Sequence, residues 1–140
     1  MARTIYFFLG LIIIALGVYW ALGGSGAENE PVVLNENIMV DEPALNATVT
    51  NPLMVSGEAR GTWFFEASFP VKLLNASSVE IASGVAGTTS DWMTTDFVPF
   101  TATLTFPPQP AGSSGTLVLI KDNPSGEPIY DDSYSVPVAF

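Results

Sequence analysis

Over residues 100–106 the chain alternates without a break between apolar residues and threonine. Phe100, Ala102, Leu104 and Phe106 fall on one side of an extended backbone, and Thr101, Thr103 and Thr105 on the other. A two-residue period with one apolar face is the pattern of a half-buried antiparallel strand. No sustained 3.6-residue period appears after residue 37, so this strand must find its core partners among other strands.

Those partners are visible as β-prone runs at 37–41, 53–59, 63–74, 79–85, 116–121 and 134–140. Between them lie Asn51-Pro52, Pro107-Pro108-Gln109-Pro110 with Gly112, and Asn123-Pro124-Ser125-Gly126, all suited to turns. Pro70 and Pro137 fall inside strand-like runs and predict edge or bulged strands, because proline has no N–H for the ladder. Seven short strands within residues 37–140 predict an all-β, immunoglobulin-like sandwich. The 140-residue chain has no cysteine, so its core must hold by packing alone.

The chain has no His either. Ser-His-Asp and Cys-His catalysis, thiol redox chemistry and ordinary zinc, copper or haem sites are thereby excluded. A net charge of −10, from 4 basic and 14 acidic residues, argues against binding nucleic acid or anionic lipid by charge.

Residues 4–22 contain no charge and would reach about 28 Å as a helix, close to the roughly 30 Å core of a bilayer. Tyr6 lies near one end and Tyr19 and Trp20 near the other, as interfacial aromatics do. Arg3 precedes the run, whereas Glu28 and Glu30 follow it. The expectation is a single-pass anchor over residues 1–22, with the N-terminus cytoplasmic and the remainder extracytoplasmic. A cleaved signal sequence is the alternative, with Ala21-Leu22-Gly23 as its site. Residues 23–36, opening with Gly23-Gly24-Ser25-Gly26, read as a flexible acidic linker.

Three stretches, residues 55–67 (VSGEARGTWFFEA), 92–100 (WMTTDFVPF) and 117–126 (LVLIKDNPSG), together resemble the Gmad2 family. This is the immunoglobulin-like domain named from bacterial sporulation and germination proteins. The resemblance runs from about residue 38 to residue 140. It implies an immunoglobulin-like sandwich at the cell surface or envelope and transfers no catalytic residues. Sporulation members of the family often carry a second, germination-type domain; none is expected within these 140 residues.

The sharpest candidate cluster is Arg60, Trp63, Phe65 and Glu66. On a strand, Trp63 and Phe65 share a face and Phe64 takes the other, so a large aromatic should point outward beside a charged pair. The competing reading has Trp63 filling the core and Arg60 paired with Glu66. Trp92 is a candidate for stacking on a cell-wall sugar, or for capping the core. Asp122, Asn123, Asp131 and Asp132 flank one loop and offer oxygen ligands to calcium, or form a solvated acidic loop. Glu58 with Glu66, or Asp91 with Asp96, would be the carboxylate pairs of a glycosidase, but nothing groups them in a cleft. The sequence therefore predicts a non-catalytic module without a cofactor. It would be anchored in the membrane by its N-terminal helix and would contact an envelope protein or, alternatively, a cell-wall glycan.

Overall fold

The computed structural model describes residues 34–140. Seven strands follow one another: β1 (Ile38–Glu42), β2 (Leu53–Arg60), β3 (Ser68–Leu74), β4 (Glu80–Gly87), β5 (Phe97–Leu104), β6 (Ser114–Ile120) and β7 (Ser133–Ala139). They are hydrogen-bonded in the order β1-β2-β5-β4-β3-β6-β7, and every neighbouring pair is antiparallel. β4 and β5 share a single pair, Gly87 with Thr101. The ladder therefore divides there into a three-stranded sheet, β1-β2-β5, and a four-stranded sheet, β4-β3-β6-β7.

The inward residues follow the two-residue period. They are Leu53, Val55 and Ala59 on β2, Val98, Phe100, Ala102 and Leu104 on β5, and Phe69, Val71 and Leu73 on β3. Leu117 and Leu119 on β6 and Val136 and Val138 on β7 complete the opposite wall. The sheets meet where Phe69 packs edge-on against Phe100, ring centroids 5.0 Å apart. Each such side chain contributes about 1.5–3 kcal/mol by leaving water, and with no disulfide this burial carries the fold. The far side is closed by residues 46–49, which run beside β7. There Asn46 N donates to Pro137 O at 2.7 Å and Val49 N to Ala139 O at 2.8 Å. The sandwich is thus close to a barrel.

Two local expectations are corrected. The run at 63–74 is not one long strand: β3 begins only at Ser68, after a 3-10 turn over Gly61–Trp63. And Pro70 lies in neither an edge strand nor a bulge, since β3 sits between β4 and β6 and its register shift falls at Leu73/Leu74. It is tolerated because β6 pairs with β3 only from Val71 to Leu74, leaving no ladder bond for Pro70 to lose on that side. β5 likewise extends back to Phe97 through Pro99, where β4 offers no partner. Pro137 does lie in a strand at the end of the ladder.

Among the described residues no helix is long and apolar enough to cross a membrane. The proposed anchor over 1–22 and most of the linker lie outside the described residues. At the near end of that linker, Asn35 is already tied to the domain, donating through Nδ2 to Asp132 at 3.2 Å.

Candidate functional site

Because every pair is antiparallel, the strand directions sort the loops. The start of β1, the β2–β3 connection, the β4–β5 connection and the β6–β7 hairpin all lie at one end of the sandwich. Every candidate site residue lies at that end, which is also where the chain arrives at Leu34.

Gly61 shapes the end. A Cβ there would lie 2.0 Å from Thr94 O and 2.3 Å from Trp92 O, so only glycine lets the β4–β5 connection come so close. Gly61 N also donates to Asp96 O at 3.0 Å. The 3-10 turn that follows breaks the strand alternation. Trp63 and Phe64 therefore both turn inward and pack edge-on against Phe69, at centroid distances of 5.7 and 5.1 Å. Trp63 is 1% exposed and presents no surface to a partner, whereas Phe65 is 42% exposed. The buried Trp63 Nε1–H has no hydrogen-bond partner among the described residues.

Arg60 does not pair with Glu66. Its guanidinium stacks 3.9 Å from the Phe97 ring centroid, and Nη1 donates to Thr95 O at 3.3 Å. Glu66 sits instead in a two-residue hairpin turn with Ala67. Both have positive φ, 51° and 63°, and Phe65 and Ser68 exchange backbone hydrogen bonds across them at 3.0 and 3.2 Å. This is the type I′ geometry, built here without the usual asparagine and glycine.

Trp92 is half-buried against the core, while its neighbour Met93 is 78% exposed. Beside them lies a shallow depression of about 370 Å³ lined by Gly61, Thr62, Phe64, Trp92, Met93, Thr94 and Thr95. Ile129 and Tyr130 are exposed on the β6–β7 loop, and Leu34 at the start of the domain. Of the exposed apolar residues Phe65, Met93, Ile129, Tyr130 and Leu34, only Phe65 is among the sequence candidates. Met93 and Phe97 lie within the 92–100 motif, but nothing in a string of residues marks which of its side chains face outward.

The acidic loop is organised by internal hydrogen bonds. Asn123 turns its amide nitrogen, not its oxygen, toward Asp131 Oδ1 at 2.7 Å and Glu127 O at 2.9 Å. Asp132 accepts from Asn35 and Asn37 instead. Among the described residues no group of three His, Cys, Asp or Glu side chains could hold a metal. Glu58, Glu66, Asp91 and Asp96 are all exposed, and none lines the depression beside Trp92.

Two facing antiparallel sheets of three and four strands, packed around a core of alternating inward residues, define an immunoglobulin-like domain. The chain belongs to the Gmad2 family: the family model described as the immunoglobulin-like domain of bacterial spore germination matches residues 37–127. The match ends in the β6–β7 loop, whereas the fold continues through β7. No curated protein and no solved structure matches the chain. The family is one of immunoglobulin-like domains rather than of enzymes.

Proposed function

We propose that this protein is a membrane-anchored, extracytoplasmic immunoglobulin-like domain that acts by protein–protein contact or envelope assembly and performs no chemistry. The observation that carries this reading is that exposed Phe65 and Met93 and the stacked Arg60 all lie at the same loop end of the sandwich. Exposed apolar side chains beside an arginine are the usual anchors of a protein interface. The uncharged run at 4–22, flanked by Arg3 and by later acidic residues, supports the anchor and its orientation.

Two measurements test the reading. External protease applied to intact spheroplasts should digest the domain; complete protection would rule out the extracytoplasmic placement. Affinity capture of the full chain from membranes should lose its specific partners when Phe65 and Met93 are both changed to Ala. Recovery of the same partners would reject the surface.

A cell-wall glycan is the second reading, favoured by the threonine-lined depression beside Trp92. Titration of tryptophan fluorescence with peptidoglycan fragments should then show saturable change, and a flat response rejects it.

A further inference from the structure

The outer face of the four-stranded sheet differs chemically from the rest of the surface. The sequence carries a net charge of −10, yet β3, β6 and β7 contain no acidic residue. The face displays Lys72, Leu74, Thr116, Val118 and Ile120, all half-buried, with the exposed Val85 at its β4 margin. Val118 sits at its middle, opposite Lys72 on β3 and opposite Ser135 on β7. The carboxylate of Glu80, at the start of β4, lies 3.2 Å from Lys72 Nζ, so the patch has no net charge.

We propose that this face docks against the same face of a second copy, in a two-fold pair centred near Val118. A two-fold contact presents a surface to itself. Most of this protein's surface would then set carboxylates against carboxylates, which repel. Here no unpaired carboxylate meets its twin. The one cation and one anion make the patch self-complementary: after rotation, Lys72 of each copy can take Glu80 of the other. A strongly charged partner of another kind gains nothing from a face without net charge. Edge-to-edge pairing through β7, the usual competitor, is obstructed because residues 46–49 already lie along that strand.

Four strands about 4.8 Å apart and roughly 20 Å long give on the order of 400 Å² per copy. A standard interface buries about 800 Å² per partner, so the contact is weak in free solution and favoured where copies are concentrated. It involves a different surface from the loop end, and loss of either contact leaves the other intact.

The absence of native cysteine makes the test direct. In membranes holding the full chain, Val118→Cys should form a disulfide-linked dimer under mild oxidation. The rate should be several-fold faster than for Thr103→Cys, on the outer face of the other sheet. Adding Lys72→Glu should lower Val118→Cys crosslinking to the Thr103→Cys level, and the exchange Lys72→Glu with Glu80→Lys should restore it. Equal crosslinking at the two cysteine positions would overturn the proposal. So would indifference to Lys72→Glu, or a Val118→Cys product joined to a protein of different mass.

Discussion

Arg60 and Phe97 face each other across β2 and β5, and the guanidinium carbon lies 3.9 Å from the centroid of the phenyl ring. Arginine offers a flat cation to a flat π-face, so this pair couples the end of one strand to the start of its neighbour. It also explains why Arg60 makes no ion pair with Glu66: the side chain is already committed to Phe97 and to Thr95 O. A double-mutant cycle of Arg60→Ala and Phe97→Leu, read by chemical denaturation, should give a coupling of about 0.5–1 kcal/mol. Additive single losses would show that the stacking contributes nothing.

Gly61→Ala should be among the most damaging small substitutions in the domain. Its Cβ would fall on two carbonyl oxygens of the β4–β5 connection, and backbone cannot step aside as a flexible side chain can. A loss of about 2–3 kcal/mol is expected from the forced backbone shift. Thermal melting checks it, with Gly112→Ala as a contrast. Gly112 has open space around it but a φ of 78°, so its cost is one of backbone conformation alone.

The Glu66–Ala67 turn should be improvable. Each residue occupies the left-handed region, at about 1–2 kcal/mol for a side-chain-bearing residue. Ala67→Gly relieves that but frees the unfolded chain, leaving a net gain of about 0.5–1 kcal/mol. Melting should rise by a few degrees, and Ala67→Val should lower it. The opposite order would show that the turn is not type I′ in solution.

The neighbouring aromatics should separate into core and surface. Phe69 touches the rings of Trp63, Phe64 and Phe100, so Phe69→Ala or Trp63→Ala should cost about 3–5 kcal/mol. Trp63→Phe should cost less, because it also removes the buried N–H that has no partner, a group worth about 1–3 kcal/mol of penalty. Phe65→Ala should leave stability within about 0.5 kcal/mol, so its effect on partner capture can be read without a folding defect. Urea titrations of the four variants order these costs.

Much of the sandwich was legible because strand burial is a local rule. The parity of residues 100–106 places Phe100, Ala102 and Leu104 inward, and all are buried in the structure. Seven strands were expected, and seven are present among the described residues. The strand at 63–74 misled for a physical reason. Its aromatics all favour β structure, but a close approach at Gly61 and a turn at Glu66–Ala67 interrupt the alternation, and both depend on contacts with the distant β4–β5 connection.

The sequence by itself determined the fold class, the reliance on packing without disulfides, and the absence of His and Cys chemistry. These follow from residue types and from a two-residue period, neither of which needs a partner to be read. Tertiary structure alone decided that Trp63 is core and Phe65 is surface, that Arg60 stacks on Phe97, and that Glu80, the carboxylate on the outer face of the four-stranded sheet, is paired with Lys72. Each of these is set by which strands become neighbours, and strand order is chosen by the folded core as a whole.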